Sequence, residues 1–100
     1  MAITYVRTAV ALSGKSLEFI AFAKEISELI GGIIGRKPTV ATCFGGNANE
    51  IAWISEAESL AQMEETAGKL AANADYRAML KNAENFAVPG MTKDHVWWHV

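Results

Sequence analysis

Five side chains on three strand-like segments have the types from which a small-molecule site is built: Tyr5, Arg7, Trp53, His95 and Trp97. The Arg7 guanidinium offers fixed donors to an anion or a carbonyl, and the Tyr5 phenol both donates and accepts. The two tryptophans add apolar bulk. An apolar wall with few polar groups is the usual composition of a ligand pocket. Trp, Tyr and Arg are also the residues enriched where two subunits meet. Two readings therefore stand together: a pocket wall, or a solid dimer interface. Arg7 is the only charge in its strand, and a buried guanidinium needs a partner. The candidates are an acidic group of a mate or a polar ligand.

The segment Asp94-His95-Val96-Trp97-Trp98-His99-Val100 alternates, so His95, Trp97 and His99 share one face. Val96, Trp98 and Val100 share the other, which is expected under the helices. His95 and His99 are about 13 Å apart along a strand, too far for one metal ion to bridge. No metal site is expected. Ala9-Val10-Ala11-Leu12-Ser13-Gly14-Lys15-Ser16 is close to a phosphate-binding loop in letters. Its residues 10–13 mostly read as strand, and no magnesium-binding aspartate follows a strand, so a capped strand-to-helix turn is expected. Cys43 stands alone and reads as a small buried residue. Glu56, Glu58, Glu64 and Glu65 gather near a helix start, where they favour the helix dipole.

These side chains must be positioned by a particular order of elements. A strand over Thr4 to Leu12 precedes a helix over Ser16 to Ile34, whose Phe19, Phe22, Ala23, Ile26, Ile30 and Ile33 form one apolar stripe. Ser13 or Ser16 is expected to cap it, and Gly31-Gly32 with Gly35 to end it. Thr39 to Phe44 and Glu50 to Ile54 form a hairpin around Gly45-Gly46-Asn47-Ala48-Asn49. Ser59-Leu60-Ala61-Gln62 is a capping box opening a second helix. Its expected stripe is Leu60, Met63, Ala67, Leu70 and Ala74. Asn73 or Asp75 starts a further helical piece reaching Phe86. The order is β-α-β-β-α-β, the ferredoxin-like α+β arrangement, an antiparallel sheet with helices on one face. Val6, Val10 and Leu12 are expected under the helices, with Tyr5, Arg7 and Ala9 on the open face. Trp53 is expected on the open face too, with Ala52 and Ile54 under the helices.

One hundred residues suit a single domain, 1–100, able to hold a core without disulfides. A net charge of −2 and scattered basic residues speak against nucleic acid. No run approaches the ~20 apolar residues of a membrane span, and the apolar run after Arg7 is too short for a signal peptide. The cytoplasm is the default expectation.

The whole chain resembles the dimeric α+β barrel superfamily. The resemblance rests on Gly35-Arg36-Lys37-Pro38-Thr39-Val40, on Gly45 through Ile54, and on Ser59-Leu60-Ala61-Gln62-Met63-Glu64. Asn73-Ala74-Asp75-Tyr76-Arg77-Ala78-Met79-Leu80 is similar to the second-helix segment of its NIPSNAP-like branch, which stands beside antibiotic-biosynthesis-monooxygenase-like proteins. The resemblance implies a homodimer in which two protomers pack their open sheet faces together. Some such proteins are cofactor-free quinol monooxygenases, and others degrade haem. The haem-degrading members use an asparagine on the first strand and a histidine on the second helix. This chain has neither, in Thr4 to Leu12 or in Ser59 to Phe86. The implied function is small-molecule binding, with cofactor-independent oxygenation of an aromatic or quinol-like compound as its catalytic form. The alternative is a non-catalytic structural or protein-interaction dimer.

Overall fold

A computed structural model describes residues 2–43, 45–46 and 48–100. Its elements are β1 (Ile3–Val10), α1 (Ser16–Ile34), β2 (Thr39–Thr42), β3 (Glu50–Ala57), α2 (Leu60–Ala72), α3 (Ala74–Asn82), a short 3-10 turn (Ala83–Asn85) and β4 (Lys93–Trp98). The sheet is antiparallel in the order β2-β3-β1-β4. This is the ferredoxin-like α+β arrangement. Phe44, the expected end of the second strand, and Asn47 of the hairpin turn lie outside the described residues.

Helix α1 carries the core. Phe19, Phe22, Ala23, Ile26 and Ile30 are buried against Ala9, Ala11 and Ile51 of the sheet side. Phe19 stacks near Phe22 at 6.0 Å and meets Trp53 edge-on at 5.9 Å. Phe86, delivered by the 3-10 turn, closes the cluster 5.4 Å from Phe22. Neither expected serine caps this helix. Its N-cap is Lys15, which makes no side-chain cap bond. Ser16 instead donates to Asn49 Oδ1 at 2.8 Å, tying the helix start to the entry of β3. The helix runs through Gly31 and Gly32 and ends at Gly35, where φ is 85° and the N–H donates to the Gly31 carbonyl. Buried Ser27 donates to the Pro38 carbonyl at 2.6 Å, so the turn into β2 is fastened to the helix.

The caps of the other helices are those read from the sequence. Ser59 Oγ accepts from the Gln62 N–H at 3.2 Å, and Gln62 Oε1 accepts from the Glu58 N–H at 2.8 Å. Asn73 Oδ1 accepts from the Tyr76 N–H at 2.9 Å. Neither α2 nor α3 has a buried residue. The expected α2 stripe of Leu60, Met63, Ala67 and Leu70 lines an open space, and Leu70 also packs against the core while only partly buried.

The facing of β1 and β3 is the reverse of the expected one, while β4 faces as expected. Ala9 packs under Phe19, so Ile3, Tyr5 and Arg7 on the same side of β1 also face the helices. Val6 faces away. Trp53, opposite Arg7, faces the helices too, and its indole N–H donates to the Ala23 carbonyl at 3.2 Å. Ala52 and Ile54 take the open face. The reason is one of volume. Large rings come down from α1 onto small alanines, so the strand need not supply bulk. The space left over Tyr5 and Arg7 is a cleft, where polar groups are housed without a dry burial.

Candidate functional site

The cleft has a volume of about 910 Å³ and lies between the sheet, α1 and the α2–α3 layer. That is within the range of small-molecule sites. Phe19, Phe22, Ile26 and Ile30 line it from α1, and Met63 and Leu70 from α2. Its sheet floor presents Tyr5, Arg7, Trp53 and Ser55. Of the five residues singled out in the sequence, three meet here: Tyr5, Arg7 and Trp53.

Arg7 has its partner within the chain. Asp94 stands directly opposite on β4, with Arg7 Nε at 2.7 Å from Oδ1 and Nη2 at 3.0 Å from Oδ2. Both side chains keep some contact with solvent, 36% for Arg7 and 42% for Asp94. The bidentate bond to Asp94 raises the Arg7 pKa above its ordinary value, against the opposing effect of burial. The same bond lowers the Asp94 pKa below its ordinary value. Both groups are therefore charged at neutral pH. Burial raises the Tyr5 pKa, with Arg7 and Asp94 pulling in opposite directions beside it. Tyr5 thus stays a protonated phenol.

His95 and Trp97 are elsewhere. They lie on the open face of the sheet, opposite Val6 and Thr4, with their rings stacked 6.1 Å apart. His99 Nε2 bonds to Thr4 Oγ1 on this face. Val96 and Trp98 do take the helix side, but the helices do not reach them, and Trp98 is 52% exposed. Trp97 is 58% exposed. Strand β4 is therefore bare on both faces.

Two further candidate residues were not found by sequence reasoning. Asp94 completes Arg7, and Ser55 stands directly opposite Tyr5 on β3. Only the strand register brings either of them into place. Among the described residues no group of three or more His, Cys, Asp and Glu could hold a metal ion. The loop that resembles a phosphate cradle is committed otherwise. The Ala11, Leu12 and Lys15 N–H groups donate to the carbonyls of Asn49, Phe86 and Leu12, and Lys15 pairs with Glu18 at 3.6 Å. No helix among the described residues is long and apolar enough to cross a membrane.

No family model matches the sequence, and no curated protein matches it. Solved structures do. A NIPSNAP family protein from Agrobacterium tumefaciens superposes with a TM-score of 0.83 at 18% identity, covering 100% of this chain and 94% of its own. An uncharacterized NIPSNAP-like domain protein from Burkholderia xenovorans gives 0.81 at 15% identity, covering 99% and 85%. A Mycobacterium tuberculosis protein gives 0.72 at 9% identity, covering 100% and 96%. The likeness spans the whole ferredoxin-like sheet and both helical layers, and the chain has the NIPSNAP-like α+β fold.

Proposed function

We propose that this protein is a homodimeric small-molecule-binding protein whose ligand occupies the cleft between the sheet and its helices. The observation that carries this reading is the cleft itself, about 910 Å³ of apolar wall over a floor bearing Tyr5, Ser55 and the Arg7–Asp94 pair. Under this reading pocket and interface belong to different residues. Tyr5, Arg7 and Trp53 serve the ligand. His95 and Trp97, on the bare face, serve the contact with a second copy, since apolar groups of that size are uncommon on a free surface. The resemblance to dimeric α+β barrels supports the same division.

Binding fits the cleft better than oxygenation does. A cofactor-free oxygenation needs a base that takes a proton from the substrate. Asp94 is held by Arg7, Tyr5 keeps its own proton, both histidines lie across the sheet, and the remaining carboxylates, Glu56 and Glu64, stand exposed at the rim beside Arg36 and Arg77. The test is native mass spectrometry with a neutral apolar dye, Nile red. The expected result is a dimer of about 22 kDa, twice the 10.8 kDa chain, that binds the dye. Ala67→Trp, which fills the cleft from α2, is expected to abolish dye binding. A monomer with no bound dye overturns the reading.

A further inference from the structure

The chemistry of the cleft floor restricts what can lie on it. The one cation on the sheet floor is already matched. Arg7 spends Nε and Nη2 on Asp94, and the carboxylate remains ionised beside it. A ligand carboxylate laid there would lose water, gain no free cation and meet a like charge. The rim gives it no compensating field. Arg36 and Arg77 stand there with Glu56 and Glu64, two charges of each sign. Arg77 donates to the Ala71 carbonyl, and Arg36 reaches Thr66 Oγ1 at 3.5 Å.

On the sheet floor, the polar groups left to meet a ligand are the Ser55 hydroxyl and the Tyr5 oxygen, whose O–H bonds to Asp94. Trp53 lines the cleft, but its N–H is already given to the Ala23 carbonyl, so it offers only its ring. Ser55 Oγ has no hydrogen-bond partner among the described residues, and it lies across from Tyr5 at directly opposed register. The two side chains start from opposed positions on neighbouring strands, with Cβ atoms about 5 Å apart, and the longer Tyr5 side chain carries its hydroxyl to Arg7 and Asp94. Ser55 donates to a carbonyl, and both hydroxyl oxygens accept from an alcohol or phenol.

We propose that the cleft selects an uncharged apolar compound with one hydroxyl or carbonyl head, read by Tyr5 and Ser55, and discriminates against carboxylates on the same skeleton. This rests on the cleft being the ligand site. It goes beyond that reading by naming the head group and the two residues that determine specificity. The edge-to-face rings of Phe19 and Trp53 suit a planar skeleton.

The experiment uses three probes that share one ring system: 2-acetylnaphthalene, 2-naphthol and 2-naphthoate. Each competes with Nile red at about pH 7, where the carboxylate is ionised. The ketone and the naphthol are expected to bind at least about tenfold more tightly than the carboxylate, because a buried unpaired charge is costly. Tyr5→Phe combined with Ser55→Ala is expected to weaken the ketone about fivefold or more, while naphthalene, the same rings without a head group, stays within about twofold in the same competition. Retained naphthalene affinity also reports that the variant is folded. Nile red binding with 2-naphthoate as tight as the ketone overturns the head-group proposal and leaves the cleft reading standing. So does a double variant that keeps full ketone affinity. No binding of dye or probes by the native protein overturns both.

Discussion

Arg7 and Asp94 face each other across the β1–β4 pair, and the guanidinium clasps both carboxylate oxygens at 2.7 and 3.0 Å. The contact joins residues 87 positions apart in the chain. It fixes the edge strand to the sheet and neutralises the floor of the cleft in one interaction.

The pair makes stability depend on pH in a definite direction. Folding lowers the Asp94 pKa, so its contribution is complete above the ordinary carboxylate value and is lost as pH falls through the lower folded value. Partial exposure limits it to about 0.5–1 kcal/mol. Asp94→Asn is therefore expected to lie below the native protein by a constant amount between about pH 5 and 8, with the gap closing below about pH 4. Urea midpoints across that range measure it. A gap undiminished at about pH 3 would assign the loss to packing instead of charge.

Two glycines only three positions apart at the end of α1 should respond with opposite signs. Gly32 is helical, and a Cβ built there meets nothing within 4 Å. Gly32→Ala is expected to stabilise by about 0.5–1 kcal/mol. Gly35 holds φ at 85°. Gly35→Ala is expected to destabilise by about 1–2 kcal/mol, since an L side chain is strained there. Denaturation midpoints of the two variants should move apart, and a shared direction would contradict this account of the helix end.

Truncations should distinguish the two helical layers. Phe19 is 1% exposed and touches three other rings, so Phe19→Ala is expected to cost about 3–5 kcal/mol. Leu60 on α2 is 46% exposed, and Leu60→Ala should cost less than about 1.5 kcal/mol. Equal losses would mean that α2 shares the core with α1.

The α2 cap is a separate matter. Ser59→Ala removes the acceptor for the Gln62 N–H and should cost about 0.5–2 kcal/mol. Circular dichroism during urea unfolding reports it, and unchanged midpoints would show that the bond contributes nothing in solution.

The elements were legible in the sequence because their signals are local. The α1 stripe, the Ser59 and Asn73 caps and the Gly35 stop each act within a few residues. Alternation likewise told which residues share a face: Tyr5 with Arg7, His95 with Trp97. It could not say which face the helices take. That depends on whether α1 brings bulk to Ala9 or Val10 supplies it, a question of packing between distant segments. For the same reason Tyr5, Arg7 and Trp53 separated from His95 and Trp97. Ser55 and Asp94 carry no signature of their own and acquire a role only through strand register.

The layer formed by α2 and α3 contains no buried residue, although it walls the cleft. Local opening follows the distribution of buried contacts, so these helices should detach in a sub-global fluctuation while α1 and the sheet stay folded. Their amide hydrogens should exchange well before those of α1 and β3. Passage into the cleft then needs no dedicated gate, because the wall itself opens. Under the proposed ligand-site reading, substitutions along α2 should change how fast a ligand enters and leaves more than they change the stability of α1 and the sheet.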